Sequence, residues 1–67
     1  MKIIFNNREV VVATGLVLLE LLEAESFTQK KGIAVAINNR VIPRVEWASF
    51  SLSENDKILV ITATRGG

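Results

Sequence analysis

Apolar positions in this chain fall in short β-branched runs at both ends and recur at helical spacing in one stretch between them. Residues 2–6 are rich in β-branched and aromatic side chains and read as a strand. Asn6-Asn7-Arg8 is a turn signal, and residues 9–12 resume strand character, so the opening reads as a β-hairpin. Ala13-Thr14-Gly15 breaks it. Residues 16–25 are the one helical stretch. Leu18, Leu21 and Leu22 form a buried stripe at i, i+3 and i+4, with Glu20 and Glu23 on the wet side. No Ser, Thr, Asp or Asn stands directly before Val17, so the helix start is poorly signalled. Residues 26–32 are polar loop, with Lys30 and Lys31 near the helix end and Gly32 closing it.

Ile33–Ile37 reads as a second strong strand. Asn38-Asn39 is a turn, and residues 40–42 are a short strand ended by Pro43, which cannot donate to a ladder and so marks an edge. Residues 44–50 are irregular or a short helical turn, with Trp47 anchoring them to the core. Ser53-Glu54-Asn55-Asp56 is a turn, and residues 57–64 are the last and longest strand. The expected order is β-β-α-β-β-β. That is an α+β domain with one helix on one face of a small mixed sheet and the two terminal strands side by side.

The last strand is apolar on both faces. Ile58 and Val60 point one way, towards the helix; Leu59, Ile61 and Ala63 point the other. A strand with one wet face should alternate apolar with polar. Either flanking loops cover the second face, or Leu59, Ile61 and Ala63 form an exposed patch that docks a partner. A partner seated there would hold the following tail close to its own active site.

Composition narrows the chemistry. Sixty-seven residues make one domain, 1–67, with no room for a second core. A chain of this size buries only roughly 60% of its unfolded surface. It has no cysteine, so the 49% of hydrophobic residues must carry the fold without disulfides or thiolate metal sites. Eight basic against seven acidic residues argue against a nucleic-acid partner. The first residues turn polar too soon for a signal peptide, and no apolar run approaches a membrane span; a cytoplasmic protein is expected. The chain also lacks His, so the usual general base at neutral pH is missing along with the thiol nucleophile. No catalytic set and no metal site is expected. The chain would enter chemistry as a substrate or carrier.

The tail offers the chemistry. The chain ends Arg65-Gly66-Gly67 with nothing left to pack. Two terminal glycines arise by chance roughly once in 200 chains at average glycine usage. Glycine has no Cβ, so such an end can thread a narrow channel and present a bare carboxylate, where a larger residue would clash. Alone, the dipeptide could equally be a terminus without meaning.

With the strand order, the tail gains specificity. The chain resembles the β-grasp proteins of the ubiquitin-like superfamily, and within them the ThiS family of sulfur carriers in thiamin biosynthesis. The resemblance covers the whole chain. It rests on the opening strand, on Glu20-Leu21-Leu22-Glu23, on the terminal Gly66-Gly67 and most of all on residues 34–47. There an Ala-Val-Ala-Ile-Asn strand is followed by Val41-Ile42-Pro43-Arg44 and, after two intervening residues, Trp47. Two departures stand out. Asn55-Asp56 replaces the family's frequent Gly-Asp, and Asn accepts the same left-handed backbone. Leu16-Val17 replaces a frequent Thr or Ser at the helix start, at a cost of about 1 kcal/mol in capping.

The resemblance implies a cycle. A ubiquitin-activating-like enzyme adenylates the Gly67 carboxylate, consuming ATP; no cofactor stays bound to the carrier. A persulfide sulfur then replaces AMP, giving a thiocarboxylate. Thiazole synthase accepts the sulfur. Gly66 and Arg65 would thread the enzyme channels as a flexible tail, 65–67. The nearest rival is the small subunit of molybdopterin synthase, which shares fold, tail and chemistry but fits Pro43-Arg44 and Trp47 less well. A ubiquitin-like protein modifier is the other alternative.

Overall fold

The computed structural model describes residues 1–27 and 32–62. Five strands and one α-helix follow in the order β1 (Lys2–Phe5), β2 (Arg8–Val11), α1 (Leu18–Ala24), β3 (Ile33–Ile37), β4 (Arg40–Val41) and β5 (Lys57–Thr62). One turn of 3-10 helix, Arg44–Glu46, lies between β4 and β5. The sheet order is β2-β1-β5-β3-β4. The first hairpin is antiparallel, β1 and β5 run parallel, and β3 pairs antiparallel with both β5 and β4. This is the expected α+β sheet with the terminal strands adjacent. Strand ends differ from the expectation by a residue or two, and positions 63–64 of the last strand fall outside the described residues.

Both hairpins close on asparagine pairs. Asn6 and Asn7 have φ of 49 and 69°, Asn38 and Asn39 of 52 and 70°. Two successive left-handed residues are the type I′ geometry, whose twist matches that of the flanking strands. Asn tolerates it because its short polar side chain bonds locally. Each first asparagine also reaches β5. Asn6 Oδ1 accepts the Val60 N–H at 2.8 Å, and Asn38 Oδ1 accepts the Lys57 N–H at 3.0 Å. Asn55, at φ 67°, holds the turn before β5 in the conformation expected of it.

The helix is shorter than its periodic pattern and is capped by distant backbone. The Leu18 N–H donates to Phe50 O (2.8 Å) and the Leu19 N–H to Trp47 O (3.0 Å). Glu20 Oε1 accepts the Val17 N–H at 3.1 Å. Three groups that a Ser or Thr cap would help to order are therefore already held. At the far end the helix stops within a residue of the expected position 25; Ser26, at φ 64°, closes it, and Gly32, at φ 72°, stands just before β3. The Ser26 N–H donates to Glu23 O and the Phe27 N–H to Leu22 O, the paired bonds of a Schellman motif. Phe27 then packs back onto the core, its ring 5.9 Å from that of Phe5. Lys30 and Lys31 lie outside the described residues.

The core is one cluster between helix and sheet. Leu18, Leu21 and Leu22 meet Ile3, Phe5, Val35, Ile37, Ile58 and Val60, with Ile42, Trp47 and Leu52 sealing one side. Burial of each such side chain contributes roughly 1.5–3 kcal/mol, the main stabilisation open to a domain without disulfides. Trp47 is the anchor expected: its indole N–H donates to Ile42 O at 2.9 Å, and the Arg44 guanidinium lies 4.7 Å over its ring. Among the described residues no buried side-chain polar atom lacks a partner.

Candidate functional site

β5 occupies the centre of the sheet and precedes the tail in the sequence, so its two faces decide what this part of the chain offers a partner. Register settles them. Ile58 pairs with Phe5 and Ile37, and Val60 with Val35, all on the helix side. Leu59 pairs with Ala36, and Ile61 with Ala34, on the opposite side. Ile58 is 1% exposed and Val60 8%, whereas Leu59 is 41% and Ile61 53% exposed. No loop among the described residues closes over Leu59 and Ile61, so both are exposed there. Ala63, the third residue expected in the patch, lies outside the described residues, as do Arg65, Gly66 and Gly67.

The register adds residues that the sequence reading missed. Ala34 and Ala36 share the outer face of β3, and Val41, paired with Ala36, extends it onto β4, where it is exposed. The signal was present in the strand Ile33-Ala34-Val35-Ala36-Ile37, which is apolar on both faces with small residues on one of them. Small side chains at positions 34 and 36 leave Leu59 and Ile61 standing proud of the sheet.

Asn6 fixes the strand beneath this patch. The parallel ladder from β1 runs Ile4 N–H to Asp56 O and Asn6 N–H to Ile58 O, at 2.8 and 2.9 Å. There β1 ends and the chain turns away. The Asn6 side chain supplies the next rung by accepting the Val60 N–H, so β5 is held on its β1 side as far as Val60. On the other side β3 accompanies it to Thr62, through the Ile33–Thr62 pair. β5 beneath the patch is thus hydrogen-bonded on both sides as far as Val60 and on the β3 side to Thr62.

No cluster of three His, Cys, Asp or Glu side chains that could hold a metal occurs among the described residues. No helix among them is long and apolar enough to cross a membrane. The motif at residues 41–47 is explained by packing: Pro43 precedes the 3-10 turn, Arg44 stacks on Trp47, and Trp47 braces Ile42 and the start of α1.

Comparison with known proteins agrees over the full length. The ThiS family model matches residues 2–67. The sulfur carrier protein ThiS of Escherichia coli (strain K12) is 36% identical over 67 residues, covering all of both chains. The crystal structure of a thiamine biosynthesis protein (ThiS) from Geobacter metallireducens superposes with a TM-score of 0.85 at 25% identity, covering both chains completely. A solution structure of a thiamine biosynthesis protein from that organism gives 0.78, also at 25% identity, covering all of this chain and 88% of the other. Whole-length sequence similarity and a shared five-stranded sheet with one helix agree that this chain belongs to the ThiS family of thiamin-biosynthesis sulfur carriers.

Proposed function

We propose that this chain carries sulfur on the carboxylate of Gly67 and is itself the substrate, not the catalyst, of each step. A carboxylate is a poor electrophile. An adenylating enzyme of the ubiquitin-activating type converts it, with ATP, to an acyl-adenylate and releases pyrophosphate. The terminal sulfur of a partner's persulfide attacks the carbonyl carbon and AMP leaves, giving an acyl disulfide; a second thiol of the partner then attacks the inner sulfur, breaking the S–S bond to release the thiocarboxylate and leave a disulfide on the partner. Thiazole synthase accepts the sulfur, and hydrolysis returns the carboxylate. The chain has no Cys and no His, so the thiols and any imidazole base that the cycle uses come from its partners.

The observation that carries this reading is the exposed outer face of β5, Leu59 and Ile61, on the strand that runs into Arg65-Gly66-Gly67. An enzyme that grips this face has the tail within reach, and glycines at 66 and 67 fit a channel too narrow for a Cβ. Ala63, Ala34, Ala36 and Val41 would complete the docking surface. Deletion of Gly67 tests the proposal. The truncated chain should fold normally and fail to support ATP–pyrophosphate exchange by the adenylating enzyme. Exchange at the full-length rate would refute it. A gene deletion separates pathways: a thiazole requirement with intact molybdenum enzymes is expected, and the reverse would point to molybdopterin synthase.

A further inference from the structure

The docking face has a charge pattern at the end farthest from the tail. The two hairpin turns share the sequence Asn-Asn-Arg, at residues 6–8 and 38–40, and share the same backbone form. They stand on either side of β5. Their second asparagines, Asn7 and Asn39, therefore line one open pocket of about 160 Å³, completed by Ala36, Leu59 and Lys57. Lys57 is exposed and has no ion-pair partner among the described residues; the pair on this face is Lys2 with Glu9, at 3.7 Å. Nearby carboxylates are engaged elsewhere. Asp56 accepts from the Ser53 N–H and the Asn38 amide, and Glu54 from the Lys2 N–H. Arg8 and Arg40, both exposed, follow the two turns but pair with Phe5 and Ile37 and so belong to the helix side, which leaves Lys57 as the cation of this pocket. The pocket combines an apolar floor, one ammonium and two side-chain amides.

Resting on the docking role proposed above, we propose that this pocket reads a carboxylate. A partner enzyme that seats an apolar surface on Leu59 and Ile61 places an Asp or Glu side chain between Asn7 and Asn39, paired with the Lys57 ammonium. A charge-assisted bond with amide donors beside it suits a carboxylate, which only accepts. The pairing has a use that the apolar patch lacks. Apolar contact is non-directional and leaves rotation about the patch weakly defined. Lys57 lies five residues from Thr62, roughly 17 Å along an extended strand. A charge pair fixed at that end of β5 sets the direction in which the other end delivers the tail.

Calorimetric titration of the full-length chain into the adenylating enzyme, at low and high sodium chloride, tests this. Lys57→Glu should raise Kd about tenfold or more at low salt, and Lys57→Gln several-fold, with the gap closing at high salt. Asn7→Gly and Asn39→Gly, which keep the left-handed turns, should each raise it about twofold, the scale of one rim hydrogen bond. Wild-type affinity in Lys57→Glu at low salt would overturn the subsite, even where Gly67 is adenylated normally. Lys57-dependent binding without adenylation would instead contradict the carrier cycle and leave the subsite standing.

Discussion

Trp47 caps a helix from outside it: its carbonyl oxygen accepts the Leu19 N–H at 3.0 Å, while its own indole N–H is held by Ile42 O at 2.9 Å. One residue thus connects β4, the 3-10 turn and the start of α1. Trp47→Phe should remove the indole bond, leave the Ile42 carbonyl without that donor and cost about 1–3 kcal/mol in a urea melt. Arg44→Ala, which loses only the guanidinium stacked on the ring, should cost about 0.5–1 kcal/mol. Equal losses for the two variants would show that the indole bond contributes nothing.

A second test concerns the rung that Asn6 adds to β5. Asn6→Asp keeps both an acceptor and tolerance of φ 49°. Asn6→Gly keeps the backbone and loses the bond to Val60; Asn6→Ala loses both. Stability should fall in the order Asn, Asp, Gly, Ala, with about 1 kcal/mol for the bond and a further 1 kcal/mol or so for the strained backbone. Amide exchange at Val60 should accelerate in Asn6→Gly. An unchanged Val60 exchange rate would mean that the side chain does not secure the strand.

The two faces of β5 should respond oppositely to the same substitution. Leu59→Asp and Ile61→Asp alter exposed positions and should leave the melting temperature nearly unchanged, while weakening binding to the adenylating enzyme or thiazole synthase by roughly 2 kcal/mol or more. Ile58→Asp places an unpaired carboxylate in the core and should prevent folding. Unfolding of Leu59→Asp, or its normal binding, would contradict the assignment of faces.

The helix start offers a stabilising change. The Leu18 and Leu19 N–H groups already have acceptors, but Val17 has no side-chain oxygen for the N–H of Glu20. Val17→Thr conserves shape and adds that acceptor, so a gain of about 0.5–1 kcal/mol in a denaturant melt is expected. A loss would show that the half-buried Val17 methyl groups outweigh the cap.

What the sequence disclosed depended on how local the cause was. The alternation of Ile58, Leu59, Val60 and Ile61 fixed both faces of β5 in advance, because side-chain direction in a strand follows from neighbouring residues alone. The stripe Leu18, Leu21, Leu22 was equally readable. The helix ends were not. The caps at Leu18 and Leu19 come from carbonyls some thirty positions away, which no local signal announces. The pattern does stop at residue 25, but Ser26 looks like any loop serine, so its left-handed φ of 64° was not announced. Asn6 and Asn38 were legible as turn residues, but their bonds to β5 depend on pairing between distant segments. Ala34, Ala36 and Val41 joined the patch only once register placed them beside Leu59 and Ile61.

The central claim is that Gly67 carries the sulfur, and intact mass spectrometry of the chain recovered from growing cells tests it most directly. The account predicts a second species in which one oxygen of the C-terminal carboxylate is replaced by sulfur, which disappears in Gly67-deleted chain and reverts to the carboxylate form after incubation with thiazole synthase and its other substrates. A chain found only as the free carboxylate in cells making thiamin, or only joined through Gly67 to lysines of other proteins, would contradict it.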